Sequence, residues 1–274
     1  MPQTESGLSR WRALLVLVIA SGAAYAGFST FEAMSTSDQR IWVVLLVGAA
    51  ISSIAGFAFS ALAGAALFHI SSDTLYAVQV MLIASIAIQA YSVWQLRTHI
   101  KARPLVPFFA GGAATVLPGV LLLLHAQISL YSLVLGAFLI AYALFMLAKP
   151  RFRLPSDGPL ARFAVGALGG LTGALAAFPG AFTIWCGAQG WDKRQQRAIY
   201  QPFILGMQLL TMAVLATIAP ARVLELDGVK FVLPALLGAY CGLRVFDGLS
   251  TAQFHKIVAL FLLLSGAALS MRAF

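Results

Sequence analysis

Long apolar stretches, rather than alternating ones, set the pattern of this chain. Nine runs cover roughly 13–31, 41–68, 75–96, 105–124, 130–148, 163–188, 199–219, 231–246 and 257–271. Most are near the length of about 20 residues that carries a helix across a bilayer. A closed barrel would show short segments of alternating polarity instead, so the pattern predicts an all-α polytopic membrane protein.

Two runs differ from the rest. The second is rich in small and hydroxyl residues over 48–64, including Ser52, Ser53, Gly56 and Ser60. The sixth carries Gly166, Gly169, Gly170, Thr172 and Gly173, then Pro179-Gly180. Glycine and proline weaken a helix interior, which suits a broken, re-entrant hairpin that enters and leaves by one face. The same residues also suit tight helix packing through small pairs four apart, such as Gly166/Gly170 and Gly169/Gly173.

Charge separates these readings. If all nine runs cross, with the N-terminus inside, only Arg10, Arg12, Lys193, Arg194, Arg197, Arg244 and Lys256 of the 18 Lys and Arg fall inside. If runs two and six are re-entrant, all but Arg40, Arg222, Lys230 and Arg272 do. Basic residues favour cytoplasmic loops, so the second arrangement is preferred. It has seven full crossings, a cytoplasmic N-terminus and an external C-terminus. Ala24-Tyr25-Ala26 resembles a signal-peptidase site, but the first run is read as a retained helix.

The halves also resemble each other. Ile51-Ser52-Ser53-Ile54-Ala55-Gly56 aligns with Leu168-Gly169-Gly170-Leu171-Thr172-Gly173. Each is followed by a helix with paired glutamines, Gln79 and Gln89 or Gln201 and Gln208. Residues 1–40 then form a tail and first helix, 41–150 one repeat unit and 151–274 the other. Each unit is a hairpin plus three crossings. Three is odd, so the second unit is inverted, as in many secondary transporters whose broken helices meet near the midplane.

Composition closes off other classes. The hydrophobic fraction is 61%, the charged fraction 10% and the mean hydropathy +0.90, against about 25% charged in a soluble domain. A soluble enzyme and a nucleic-acid-binding module are excluded. The net charge of +9 reports loop orientation and anionic lipid before any polyanionic ligand. Cys186 and Cys241 lie in apolar runs and read as buried thiols.

The run Ser52-Ser53-Ile54-Ala55-Gly56-Phe57, the run Gly169-Gly170-Leu171-Thr172-Gly173 and the closing stretch 262–272 resemble the sulfite exporter TauE/SafE family of transporters. The likeness covers about 42–272. Family members carry more glycine after the first Gly-Phe, where this chain has Ala58-Phe59-Ser60-Ala61, and before Pro179, where it has 174–178. The resemblance implies a bacterial inner-membrane transporter of small sulfur anions such as sulfite or organosulfonates.

No nucleotide loop, metal-ligand set or midplane carboxylate is visible, so neither cofactor, metal nor catalysis is expected. An anion inside a bilayer needs donors. Broken helices can offer backbone N–H groups and positive dipole ends. The candidate binding residues are Ser52, Ser53, Gly56, Phe57, Ser60, Gln79, Thr172, Gly173, Phe178, Pro179, Gly180, Thr183, Gln201 and Gln208. A hydroxyl in a membrane helix commonly bonds its own backbone, which is the plainer reading of each Ser and Thr. Phe57, Phe59, Phe178 and Phe182 flank the breaks as apolar gates or as packing. Arg197 and Arg244 sit at the expected cytoplasmic mouth, where they can attract anions or snorkel to headgroups. The partners expected are a small sulfur anion and lipid, with no nucleic acid; a homo-oligomer is compatible. An exporter by alternating access is the first reading. A channel-like pore, an uptake transporter and a membrane-embedded enzyme are the others.

Overall fold

The computed structural model describes residues 31–271 apart from 56–58, 72, 126–127, 149–157, 177–178, 190, 219, 221–225 and 249. The first apolar run and the sites expected at Gly56, Phe57 and Phe178 lie outside the described residues. Every described regular element is helical. The chain divides into two compact units, Met1–Trp42 and Val43–Phe274. In the first, Ser35 Oγ accepts from the Asp38 N–H at 3.1 Å and starts a helix, and Phe31 meets Trp42 edge-on at 5.3 Å.

The helices are α1 (Thr36–Ala55), α2 (Phe59–Ile70), α3 (Thr74–Leu96), α4 (Val106–His125), α5 (Ile128–Ala148), α6 (Pro159–Ala176), α7 (Gly180–Ala188), α8 (Lys193–Ile218), α9 (Val232–Gly248) and α10 (Thr251–Met271). One sequence of lengths occurs twice: a helix of 20 or 18 residues, a short one of 12 or 9, then three longer ones. Their starts are locally encoded. Asp73 caps α3 through the Tyr76 N–H at 3.2 Å. Asp192 caps α8 through Arg194 and Gln195 at 2.8 and 2.9 Å. Ser250 and Gln253 bond reciprocally at the start of α10, as a capping box does.

Among the described residues, five helical segments are long and apolar enough to cross a membrane: Thr36–Ile54, Tyr76–Leu96, Arg103–His125, Arg194–Ile218 and Gly228–Val245.

Packing relies on bare backbone. A Cβ on Gly166 would strike Phe108 O, and one on Gly170 would strike Gly112 O, so α6 lies directly on α4. Thr115 adds a bond from its Oγ1 to Ala167 O at 2.7 Å. In the same way Gly238 and Gly242 of α9 abut Leu46 O and Ala50 O of α1. Gly136 of α5 and Gly266 of α10 face each other's carbonyls. The small-residue packing reading therefore holds for Gly166 and Gly170. At Gly169 the close neighbours are the side chains of Phe182 and Phe203 and not a backbone, and at Gly173 there is only ordinary contact with Pro179.

Further contacts join α3 to α8, α4 to α8 and α3 to α9. Exchanging the two sets of five helices turns the α1–α9 contact into α6–α4 and α4–α8 into α9–α3. It leaves α3–α8 and α5–α10 unchanged.

Candidate functional site

The site begins at the end of α1. The last carbonyls of a helix have no partner within it and carry its negative dipole end. Here Arg197 Nη2 donates to Ser53 O at 2.6 Å and to Ile54 O at 2.8 Å. Its guanidinium also hydrogen-bonds the Tyr200 hydroxyl. Such charge-assisted bonds are short and strong. Arg197 is 4% exposed, which replaces the lipid-snorkelling reading with an internal clamp. It is the fifth residue of α8, so the end of α1 lies beside the first turns of that helix and not halfway along it.

Beside the clamp is a cavity of about 330 Å³. It lies between the C-terminal part of α3, the start of α8 and the end of α9. Three guanidinium groups line it, those of Arg194, Arg197 and Arg244, with His99 nearby. Arg244 is held by a bond from its Nη2 to the Tyr240 hydroxyl at 2.8 Å and stacks over that ring at 5.0 Å. Tyr91, Ser92, Gln95 and Gln201 supply hydroxyls and amides. No carboxylate is among the described lining residues. A small cavity lined by three guanidinium groups, that of Arg197 buried and clamped and those of Arg194 and Arg244 exposed, has the electrostatics of an anion site.

Of the expected residues, Gln201, Arg197 and Arg244 meet here. The rest divide. Ser52, Thr172 and Thr183 donate to their own helices, at Ala49 O, Leu168 O and Gly180 O (3.2, 2.8 and 2.9 Å). Ser53 Oγ is buried without a partner. Ser60 and Gln79 are buried but do not line the cavity. Gln208 Nε2 donates to Ser85 Oγ at 2.7 Å, deeper in the α3–α8 contact. Gly173 and the buried Pro179-Gly180 belong to the α6–α7 connection, away from the cavity lining. Phe182 stacks on Phe203 at 4.0 Å and meets Phe108 edge-on at 4.8 Å, which makes it packing. Phe59 is buried too. Cys186 is buried as expected, whereas Cys241 is exposed, on a face of α9 directed away from the core.

Sequence reading missed Arg194, His99, Tyr91, Ser92 and Tyr240. Arg194, Arg197 and Gln201 recur at three- and four-residue steps, and that spacing places them on one helix face. The signal was present on α8, but the contributions from α3 and α9 needed the tertiary contacts.

Apolar helices of crossing length around a basic cavity define a multi-pass helical membrane protein. No curated protein and no solved structure matches the chain. The family model for the sulfite exporter TauE/SafE matches residues 41–269, most of the chain, and the chain belongs to that family of membrane transporters.

Proposed function

We propose that the protein is a secondary transporter that exports small sulfur anions, of the sulfite or organosulfonate type, by alternating access. One observation carries this reading: the cavity at the end of α1 presents Arg194, Arg197 and Arg244 with no carboxylate among its described lining residues. The positive-inside count assigns that end to the cytoplasm. The cavity then faces the compartment from which an exporter loads, in the inner membrane of a bacterium.

The twofold order of helix lengths and the exchange of packing contacts support an inverted repeat of units 41–150 and 151–274. The hairpin reading has support in length. The helices that follow α1 and α6 are short: α2 has 12 residues, about 18 Å, and α7 has 9, about 14 Å. The hydrocarbon core is about 30 Å thick, so both fit as the return arms of re-entrant hairpins, an arrangement that leaves seven full crossings. Beyond Gln201 the α3–α8 contact is occupied by buried side chains, Gln89, Gln208 and Thr211, which favours a carrier over an open pore.

The energetics agree with export. Moving one negative charge out of a negative-inside cell gains about 2.3 kcal/mol per 100 mV, so no coupling ion is required. The test is electrical recording from proteoliposomes loaded with sulfite, thiosulfate or sulfoacetate. A saturable, anion-dependent current is expected. Transport that strictly requires a proton gradient, or no current with any of these anions, overturns the reading.

A further inference from the structure

Four buried side-chain atoms without a partner lie on the two helices of one contact. They are Gln89 Oε1 on α3, and Gln201 Oε1, Gln208 Oε1 and Thr211 Oγ1 on α8. Their residues are between 0 and 3% exposed. An unpaired polar atom is costly when buried, and a bilayer supplies no water to relieve it. A row of them needs a reason beyond stability.

Spacing gives the row a direction. Gln201, Gln208 and Thr211 lie on one face of α8, and Ser85, Gln89 and Ser92 on one face of α3, the helix that α8 contacts. Gln201 and Ser92 line the cavity. From Gln201 to Thr211 the face runs about 15 Å further along α8. Across it Gln208 Nε2 donates to Ser85 Oγ at 2.7 Å.

We propose that this α3–α8 seam is the route by which the anion leaves the cavity for the opposite face, and that the Gln208–Ser85 hydrogen bond is the barrier across it in the present conformation. The proposal rests on the anion-carrier reading. The unpaired amide atoms are acceptor oxygens, so Gln89, Gln201 and Gln208 serve an oxyanion by swinging their N–H groups round in place of Oε1, while the Thr211 hydroxyl turns its proton; being neutral, these donors also release it. At the barrier, the anion takes the Gln208 amide protons and the Ser85 hydroxyl proton in place of the bond between them.

The test is cysteine labelling during turnover in proteoliposomes, in a Cys186→Ala, Cys241→Ala background, with an anionic membrane-impermeant methanethiosulfonate. Ser92→Cys reports the cavity, Thr211→Cys the seam and Leu209→Cys the neighbouring exposed face. Thr211→Cys is expected to label, and saturating sulfoacetate to slow it about threefold or more, as at Ser92→Cys, while Leu209→Cys, on the face that the bilayer covers, is expected not to label. Protection at Ser92→Cys, with Thr211→Cys unlabelled or unprotected, overturns the route and leaves the carrier reading standing. No protection by any anion at Ser92→Cys overturns both.

The barrier is tested separately. Ser85→Ala removes the acceptor with little change of volume and is expected to speed Thr211→Cys labelling about threefold. Gln208→Leu is expected to cut flux about tenfold while sulfoacetate still raises the melting temperature. Unchanged labelling in Ser85→Ala overturns the barrier. Unchanged flux in Gln208→Leu overturns the role of the amide in the route.

Discussion

The end of α1 and the α6–α7 connection occupy corresponding places in the twofold order of helices, yet their chemistry differs. At the end of α1 the surroundings are charged and polar: Arg197 clamps Ser53 O and Ile54 O, and the basic cavity adjoins. Around α7 the surroundings are aromatic: Phe182 lies between Phe203 and Phe108, and Trp185 meets Phe108 at 5.3 Å. The lesson is that one backbone plan can carry two tasks. In our reading, one end handles the charge of the solute and the other supplies the packing against which it moves.

The largest expected effect tests the packing side. Phe182→Ala empties a fully buried position and is expected to cost about 3–5 kcal/mol, seen as a large fall in melting temperature of the purified protein. Anion affinity in the remaining folded protein is expected to be unchanged. Arg197→Ala comes next. It leaves two carbonyls at a buried helix end without a donor and is expected to cost about 1.5–3 kcal/mol. It differs from Phe182→Ala in also abolishing the thermal shift by sulfoacetate; a retained shift would remove the clamp from the site.

Glycine contacts give the third comparison. Gly170→Val on α6 and Gly242→Val on α9 both push a side chain into a neighbouring backbone. Each is expected to cost about 1–3 kcal/mol by denaturation, and near-equal losses would sharpen the correspondence of the two halves. The smallest effect belongs to Arg244→Gln at the exposed edge of the cavity. It is expected to weaken binding by under about 1 kcal/mol, with the loss shrinking as salt rises, measured by titration at low and high ionic strength.

Most of the helical plan was legible in the chain because apolar runs of crossing length have few alternatives in a bilayer. Helix starts are encoded locally, through Asp73, Asp192 and Ser250, but the apolar runs did not show them: α8 begins at Lys193 and α10 at Thr251, about six residues before the runs read there. The candidate site was legible in part. Gln201 was singled out as a polar group in an apolar run, and Arg197 and Arg244 as cations at the expected cytoplasmic mouth. Thr172 and Thr183 were indistinguishable from them in sequence, although their hydroxyls turn back on their own helices. His99 and Tyr91 gave no signal, because a residue near a helix end looks like an ordinary interfacial one.

What the sequence determined by itself is the solvent of this protein and the positions where its helices begin and stop, because hydropathy and capping act over a few residues. Only the tertiary structure decided which polar groups share a cavity. Arg197 reaches a carbonyl 144 residues earlier in the chain, and Gln208 a hydroxyl 123 residues earlier. Contacts at that separation depend on how close the glycine backbones let the helices approach, and no local pattern encodes that distance.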